Sequence, residues 1–466
     1  MTRQEGVTKD FHSPWHCRCV MELELSDQIP GPLAFYADEE QPAAAAAARD
    51  HNGTRANSRV YSVFLLLNSM IGSGVFNIPH VFRKAGLVSS YFLLTFSAVL
   101  VYAGLIVLVA ASEQNPQKEL GDYAALASSL FQTPFAGHAV DFFIAIVGFG
   151  SMMSYISGIS SMVHELLTSW ESAASVYVVT TVIMVGAVFP LCLQRYYGHF
   201  SFISVLSMSS VCLVLCLVVI GGPLYSARYA SSSSSSSPST PALFRGNPIQ
   251  QLGSVIFTFS CASATFHTYK YMKTRTEDEW RIVCRITVFF GWLLCVLMGT
   301  GGYLSFGEDT DGIILANFRR GHVGDFFQML FIAHLVLYIP LDFLVARHSL
   351  LRVCGVEQGV FRENKLHVIF CFLLLALFTG IIFLLDASGM GAGDIFSAIL
   401  NFTGGLGGSV ISFVFPAALF LRLHLGGGIE PKMRSLDQMG AVFMFAVGVV
   451  VAIYVPILTV LHSMHD

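Results

Sequence analysis

The strongest constraint in this sequence is a succession of apolar segments of about 20 residues, the length that an α-helix needs to cross a hydrocarbon layer about 30 Å thick. Hydrophobic residues make up 54% of the 466-residue chain and charged residues only 12%. A soluble protein of this length could not bury so much apolar surface. The segments are too long, and too uniformly apolar, for barrel strands. The sequence therefore predicts an all-α polytopic membrane protein.

Eleven such spans can be delimited along the chain. The fourth and fifth are separated only by a short turn at Arg195, Tyr196 and Tyr197. We treat them as two helices because their combined run is more than twice the length of one crossing. The predicted spans cover 60–81, 87–111, 136–163, 173–194, 198–220, 251–271, 283–304, 324–346, 366–386, 392–421 and 437–462.

The polar segment before the first span, residues 1–59, has no apolar run of the kind found in a signal peptide. Its prolines, acidic residues and alanine run predict a mostly disordered cytosolic tail. Residues 60–466 then form the membrane domain, in which the Ser-rich stretch 221–250 predicts a flexible loop on the non-cytosolic side. The net charge of −4 offers no general attraction for nucleic acid.

Lys and Arg residues are distributed unevenly between the two sides that eleven spans define. With a cytosolic N-terminus, 20 of the 26 basic residues fall on the cytosolic side, as the positive-inside rule requires. The charged stretch from Lys270 to Arg285 contributes to this excess as a cytosolic loop after the sixth span. We therefore expect the N-terminus in the cytosol. The sequence favours neither the plasma membrane nor an endosomal, lysosomal or vacuolar membrane.

The first span carries a cluster of small and polar residues near its centre. It reads Asn68-Ser-Met-Ile-Gly72-Ser73-Gly74, and Gly72 lies about 18 Å from the start of the span at a rise of 1.5 Å per residue. A helix broken here would leave backbone amides and carbonyls free, and these persist in a membrane only where they line a cavity or bind a ligand. Close packing by small residues is the alternative interpretation.

The sixth span has a similar interruption over residues 258–265. Interrupted spans at corresponding positions of two halves are the best sequence indication of a transport site. Free amides suit a carboxylate, whereas free carbonyls suit an ammonium or another cation, so the pair suits a zwitterionic amino acid. The predicted substrate ligands are the amides around Gly72, Ser73 and Gly74 for the carboxylate, and the carbonyls near Phe259, Ser260 and Cys261 for the ammonium.

Two further sets of small residues allow two interpretations each. The third span contains glycines and serines between Gly148 and Ser161 at three- and four-residue spacing, which favours helix packing over a site. The run Gly404-Gly405-Leu406-Gly407-Gly408 in the tenth span is either a flexible gate or a packing surface.

These residues together resemble the amino acid/auxin permease family, and most closely its branch of sodium-coupled neutral amino acid transporters. The segment from Asn68 to Gly74 resembles the first-helix signature of that family and is the most specific match. The resemblance covers nearly all of residues 60–462. Other matching positions are Pro79, Lys84, Gly86, Asp141, Gly150, Ser154, Tyr155, Pro190, Phe257, Phe259, Cys261, Tyr269, Lys273, Pro340, Arg347, Asp394, Phe415 and Pro416.

The resemblance implies a LeuT-like fold of two inverted five-helix repeats, residues 60–220 and 251–421, followed by an eleventh helix at 437–462. It implies secondary transport of small neutral amino acids by alternating access. Tyr155 matches a family tyrosine that would hydrogen-bond the substrate carboxylate, although packing is an equal alternative for it. Asn68 matches an asparagine of the family's sodium site.

The chain departs from that sodium site in the eighth span. The family has threonines two and four residues before Pro340, and this chain has Tyr338 and Val336 there. The sixth span also carries Ala262 and Ser263 where the branch usually has His-Pro. Valine offers no side-chain oxygen, and sodium prefers several oxygen ligands. These differences weaken the expectation of sodium coupling.

Ionisable residues inside spans are costly in lipid and functional by default. Asp342 and His267 each lie about 6 Å from the cytosolic end of their spans, and His334 lies about 15 Å into the eighth span. An Asp–His pair can exchange a proton near neutral pH. We therefore expect Asp342, with His267 or His334, to take part in proton coupling. The alternatives are a salt bridge for Asp342 and hydrogen-bonded packing for each histidine.

The sequence does not predict an enzyme, because it lacks an intramembrane His-x-x-His pair, a nucleophile elbow and a phosphate-binding loop. It predicts a secondary active transporter of small neutral amino acids, coupled to a proton or sodium gradient. The alternative is an amino-acid sensor that uses the same pocket with little net transport. The expected partners are the amino acid and the lipid bilayer. No cofactor or metal is expected beyond a transported sodium ion at Asn68, and protein partners are not indicated.

Overall fold

The computed structural model of the chain describes residues 57–115, 122–193, 201–230, 241–318, 321–356, 364–425 and 435–463. The predicted tail 1–59 lies outside these residues except for its last three positions. Within the described ranges the chain is helical and contains a single isolated β-bridge, between Asn57 and Met272. The all-helical fold predicted from the apolar segments is confirmed.

Seventeen α-helices, named α1 to α17 in chain order, are joined in places by short 3-10 or π turns. Two 3-10 turns, Ser73–Asn77 and Ala262–Ala264, lie inside predicted spans, as do π turns at Met184–Val188, Leu217–Gly221, Gly404–Gly408 and Val410–Val414. The helices are α1 Arg59–Met70, α2 Ile78–Ala85, α3 Leu87–Glu113, α4 Tyr123–Phe131, α5 Pro134–Ser169, α6 Val176–Ile183, α7 Phe189–Cys192, α8 Ser201–Cys216, α9 Gly222–Ala230, α10 Leu252–Phe259, α11 Thr265–Lys270, α12 Glu277–Phe306, α13 His322–Val353, α14 Asn364–Ala387, α15 Ala392–Thr403, α16 Phe415–Leu425 and α17 Ser435–Ser463.

Eight helical segments of the described chain are long and apolar enough to cross a membrane, and a bent pair, Arg59–Met70 with Ser73–Ala85, would make a ninth. The predicted fourth span corresponds to the shorter apolar helix Val176–Cys192. The predicted sixth span is split into α10 and α11, neither of which is long enough alone. The protein is therefore a multi-pass membrane protein, whereas the count of eleven crossings and the inverted repeat stay predictions.

Helices extend into two segments that the sequence predicts as loops. Helix α9 continues to Ala230, inside the stretch 221–250. Of the charged stretch from Lys270 to Arg285, residues 277–285 form the start of α12, whereas 271–276 connect α11 to α12. Thr276 caps this helix by accepting a hydrogen bond from the Glu279 amide at 3.3 Å. Acidic residues in the first turn then stabilise the positive end of the helix dipole.

Helices α5 and α13 pack along each other through small residues. A Cβ atom on Gly148 would lie 3.4 Å from the Cα of Ala346, and one on Gly158 would lie 2.9 Å from a methyl group of Leu335. Closely approaching backbones of this kind are how membrane helices associate without a hydrophobic driving force. The packing interpretation of the small residues in the third span is confirmed at these positions.

Helix α10 packs equally closely on α15 and the π turn that follows it. A Cβ atom on Gly253 would lie 2.7 Å from Asn401 Oδ1, and one on Gly404 would lie 2.7 Å from the backbone nitrogen of Phe257. Asn401 Oδ1 accepts a hydrogen bond from the Ser254 amide at 3.0 Å, and its Nδ2 donates to Thr459 Oγ1 of α17 at 2.9 Å. The glycine run of the tenth span thus lies in a packed seam, which favours the packing interpretation over a gate.

We expect Gly253→Val to destabilise the protein by about 1–3 kcal/mol, the usual cost of overpacking a close-packed interior. The added methyl groups would meet the Asn401 backbone, which cannot rotate away. Thermal unfolding of the purified chain in detergent measures the effect. Gly380→Val is the matched control, since nothing lies within 4 Å of a Cβ atom at Gly380. Equal melting temperatures for the two variants would contradict the interpretation that α10 and α15 are closely packed at Gly253.

Candidate substrate site at two helix breaks

The first break separates α1 from the 3-10 turn Ser73–Asn77. Ile71 (φ −94°, ψ 87°) and Gly72 (φ −103°, ψ −144°) both leave helical conformation. The chain bends by 55° at this point. The helix break predicted at Gly72 is confirmed, and every residue of the turn is buried.

The second break separates α10 from α11. Ser260 is extended (φ −74°, ψ 101°), Cys261 also departs from helical geometry (φ −131°, ψ 13°), and a 3-10 turn follows. Phe259 and Cys261 are completely buried. The interruption predicted in the sixth span is confirmed.

The two breaks contact each other. A Cβ atom on Gly74 would lie 3.0 Å from the Cα of Thr258, one residue before the end of α10. Gly74 is therefore needed for close approach of the two backbones. Thr258 turns its hydroxyl back to its own helix and donates to the Ser254 carbonyl at 2.8 Å.

The predicted ligands at the first break are polar groups facing α5. The amides of Ser73 and Gly74 begin a helical turn and so have no carbonyl one turn earlier to bond. The Ser73 hydroxyl lies 2.9 Å from the Ser154 hydroxyl, which in turn donates to the Ser151 carbonyl at 2.7 Å. Because Ser154 donates its one proton to the Ser151 carbonyl, Ser73 is the donor to Ser154, and the two amides are the groups left to bind a carboxylate.

The predicted ligands at the second break differ among themselves. The Cys261 carbonyl accepts a hydrogen bond from the Ala264 amide at 3.1 Å. Within the described part of the chain, the carbonyls of Phe259 and Ser260 accept none. Ser260 Oγ lies 3.5 Å from Ser412 Oγ. The carbonyls of Phe259 and Ser260 are thus more available to an ammonium group than that of Cys261.

Tyr155 connects the first break to the ionisable residue Asp342. A Cβ atom on Gly72 would lie 3.1 Å from Tyr155 Oη, and that hydroxyl donates to Asp342 Oδ2 at 2.9 Å. The Ser151 hydroxyl, which donates to the Val147 carbonyl at 2.9 Å, also lies near this carboxylate. A phenol has one proton to donate, so Tyr155 cannot donate to a substrate carboxylate while it holds Asp342.

Neither expected pairing of Asp342 is seen among the described residues. His334 Nδ1 lies 2.9 Å from Ser210 Oγ, and the ring of His267 lies against that of Tyr271 with centroids 5.1 Å apart. His334 is eight residues from Asp342 on the same helix, which places it about 12 Å away along the axis. The Asp–His pair therefore stays a prediction, and the partner that the structure shows for Asp342 is the Tyr155 hydroxyl of α5.

The alternative of a salt bridge for Asp342 is not seen either. Arg347 is buried and donates to the Cys192 carbonyl at 3.3 Å and to Cys371 Sγ at 3.2 Å. Arg352 forms ion pairs with Asp122 and Asp141. The basic residues of α13 nearest to Asp342 in sequence thus have other partners.

Asn68, the predicted sodium ligand, lies near the end of α1. Its carbonyl accepts a hydrogen bond from Tyr338 Oη of α13 at 2.6 Å, and both residues are buried. Its side-chain Oδ1 is buried without a hydrogen-bond partner. Among the described residues, no group of three His, Cys, Asp or Glu side chains is placed to hold a metal ion.

A buried segment between α12 and α13, residues 313–318, was missed by the sequence analysis. Ile313, Ile314 and Leu315 have no exposed surface, and Gln328 Nε2 donates to the Leu315 carbonyl at 3.3 Å. Just before this segment, the Gly312 carbonyl accepts a hydrogen bond from Asn77 Nδ2 at 2.8 Å. The apolar residues in this short connection were the sequence signal for its burial. The segment 313–318 covers the end of the first break, on the side that the sequence predicts to be non-cytosolic.

The opposite ends of the two broken helices are also joined. The Lys273 amide donates to the Asn57 carbonyl at 2.9 Å, and the Asn57 amide donates to the Tyr271 carbonyl at 3.3 Å. An ion pair of 2.6 Å connects Arg59 Nη2 to Glu279 Oε1. We name the contacts among residues 57–59, 271–273 and 279 the basal clasp.

Comparison with known proteins decides the family. The family model described as “Transmembrane amino acid transporter protein” matches residues 55–461, which contain both breaks and the basal clasp. The chain belongs to this family. The transporter is therefore not an enzyme, and amino acids are its substrate class.

The transporter is similar over most of its length to several curated proteins. It is 26% identical over 440 residues to a Rattus norvegicus protein provisionally named sodium-coupled neutral amino acid transporter 11, with 91% of this chain and 90% of the relative covered. It is 25% identical over 409 residues to sodium-coupled neutral amino acid transporter 7 of Xenopus laevis, covering 80% and 83% of the two chains. It is 23% identical over 405 residues to vacuolar amino acid transporter 5 of Schizosaccharomyces pombe, covering 84% and 92%.

We expect Gly74→Ala to weaken amino acid binding by about tenfold, equivalent to about 1.4 kcal/mol, because its methyl group would push against the Thr258 backbone and separate the two breaks. Binding of a labelled neutral amino acid to the purified transporter measures this. Gly186→Ala, with nothing within 4 Å of its Cβ position, is the control. Unchanged affinity in Gly74→Ala would show that the contact between the breaks does not shape the site.

Proposed function

We propose that this chain is a secondary active transporter of small neutral amino acids that uses a proton gradient and works by alternating access. The transport of amino acids follows from the family, and the coupling ion and substrate size are the added steps. The single observation that supports proton coupling is the hydrogen bond from Tyr155 to Asp342, because it joins an ionisable group to the first helix break.

A carboxylate inside a membrane is costly when it is ionised and lacks a basic partner. From α5, Tyr155 donates its hydroxyl proton to Asp342, whereas the nearby Ser151 donates its own to the Val147 carbonyl at 2.9 Å. On its own helix, Tyr338 and His334 lie one and two turns away. Taking up a proton therefore relieves a charge for which the described residues provide no cationic partner.

Protonation of Asp342 changes what Tyr155 can do. An ionised carboxylate only accepts hydrogen bonds, whereas a protonated one also donates. Protonated Asp342 can therefore release the Tyr155 hydroxyl, which lies over Gly72 at the first break. A proton on Asp342 and an amino acid at Ser73 and Gly74 would then favour the same arrangement of the site, which is what symport requires.

The geometry of the breaks supports small, neutral substrates. Tyr155 Oη limits the space beside Gly72. There is no free space beside Gly74, because Thr258 lies against it. The side chains at the second break are an aromatic ring, a hydroxyl and a thiol, from Phe259, Ser260 and Cys261. Such a lining can surround a short uncharged side chain while backbone groups bind the zwitterion.

The proposal keeps the wider arrangement expected from the sequence. Eleven spans would form two inverted repeats plus one helix, with the N-terminus in the cytosol. The basal clasp would then lie at the cytosolic face and residues 313–318 at the opposite face. The membrane would be the plasma membrane or an endolysosomal or vacuolar one.

The first test is uptake of a panel of labelled neutral amino acids into proteoliposomes that contain the full chain. Each amino acid is given no gradient, a sodium gradient or an inward proton gradient. We expect accumulation under the proton gradient that increases as the external pH falls, since the protonated form of Asp342 is the loaded form. Accumulation that requires sodium would overturn proton coupling. Binding without accumulation under any gradient would favour the sensor.

The second test assigns the proton to Asp342. We expect Asp342→Asn to lose gradient-driven accumulation and the pH dependence of uptake, while retaining exchange of labelled for unlabelled amino acid. His267→Asn and His334→Asn report whether either histidine shares the proton. The control is Asp386→Asn, which should keep the wild-type pH profile, because Asp386 also accepts from a tyrosine hydroxyl, Tyr177 Oη at 2.7 Å, but this hydrogen bond is exposed. An unaltered pH profile in Asp342→Asn would refute the role of this carboxylate.

A further inference from the structure

We propose that the hydroxyl of Tyr338 takes the place of a bound cation at the end of α1, so that the transport cycle runs without sodium. Tyr338 is then a positioning residue that holds the first break against α13. This inference rests on the proposed transport function, but it concerns a different residue and ion from the Asp342 proposal.

The end of α1 is a place where a positive charge is favourable. The last carbonyls of a helix have no amide of the next turn to bind, and they carry the negative end of the helix dipole. Where a helix ends inside a membrane protein, such carbonyls commonly coordinate a cation. α1 ends at Met70, and Asn68 and Met70 are both buried.

The carbonyls of Leu67 and Asn68, near this end of α1, already accept hydrogen bonds from neutral donors. The Leu67 carbonyl accepts from the Ile71 amide at 2.9 Å. The Asn68 carbonyl accepts from Tyr338 Oη at 2.6 Å, a short distance typical of a strong O–H···O bond. The phenol proton thus supplies the positive end of a dipole at the point where a cation would bind. It does so without bringing a net charge into the membrane.

The ring of Tyr338 is held in place on two sides. It packs edge-to-face on Tyr155 with centroids 5.7 Å apart, and it stacks at 28° on His334 with centroids 5.6 Å apart. The ring and its hydroxyl therefore connect α13 to the end of α1 in a fixed position.

The side chains at this place also offer sodium few oxygen atoms. A hard cation needs several oxygen ligands at once. Asn68 offers its Oδ1, which is buried without a hydrogen-bond partner. Two residues before Tyr338 on α13, Val336 contributes no side-chain oxygen. Asn68 and Val336 together therefore supply a single side-chain oxygen, too few to bind a sodium ion.

The experiment measures uptake into proteoliposomes under a fixed inward proton gradient, with sodium or with N-methylglucamine as the external cation at equal ionic strength. The wild-type initial rate is expected to be the same in both. Stimulation of the wild type by sodium would overturn the inference, even though transport itself would stand.

Two variants test the role of the hydroxyl. Tyr338→Phe keeps the ring and removes the donor, and we expect KM to rise about tenfold, the effect of losing about 1.4 kcal/mol, with an unchanged pH profile. Tyr338→Thr combined with Val336→Thr removes the ring and supplies two hydroxyl oxygens, and we expect uptake that sodium stimulates. An unchanged KM in the first variant, or no response to sodium in the second, would contradict the proposal.

The matched control is Tyr91→Phe. Tyr91 Oη also bridges two helices, through a 2.8 Å hydrogen bond to Thr300 Oγ1, but it lies away from the breaks. Its loss should leave KM and the response to sodium unchanged. If KM rises equally in both variants, the effect of Tyr338→Phe is general destabilisation and the positioning role is refuted.

The inference can be separated from the transport proposal by binding alone. Binding of a labelled neutral amino acid to the purified full chain is titrated with sodium or N-methylglucamine chloride. If the wild type accumulates nothing under any gradient, the transport proposal fails. Equal wild-type affinity in the two salts, together with weaker binding by Tyr338→Phe, would still support the role of Tyr338. Tighter wild-type binding in sodium would refute it.

Discussion

The whole arrangement depends on hydrogen bonding of the backbone where two helices break inside a lipid-embedded protein. Lipid cannot satisfy a free amide or carbonyl, so each break needs partners from neighbouring helices. The Asn68 carbonyl has Tyr338, whereas Ser73 has the serines of α5. Both sets of partners come from the α5–α13 pair. These two helices therefore act as the scaffold without which the first break would be too costly to keep.

Small residues make this scaffold possible by removing side chains rather than by permitting unusual backbone angles. Gly72 has a negative φ of −103°, and its function is to leave room for the Tyr155 hydroxyl. Gly148 and Gly253 likewise bring backbones together at the α5–α13 and α10–α15 contacts. Because such seams tolerate no extra methyl group, they fix the positions of the two breaks to within a few tenths of an ångström.

Local composition was enough to predict the apolar spans and both breaks, since a small or polar cluster in an apolar run is visible in the sequence itself. The partner of Asp342 was not predictable, because it depends on how α5 and α13 rotate about their axes, and spacing along one helix says nothing about the neighbouring helix. The burial of residues 313–318 was missed for a related reason. The connection between the seventh and eighth predicted spans is too short to be a span itself, although its apolar residues indicate burial.

The basal clasp has a mechanical consequence. It ties the first turn of α1 to the chain just after α11, while Gly74 and Thr258 tie the two helices' breaks to each other. Because the two helices are joined at two separate points, they cannot bend independently of each other while both contacts hold. In the proposed transport cycle, α1 and α11 would therefore move together, and opening this end would require breaking the basal clasp or separating Gly74 from Thr258.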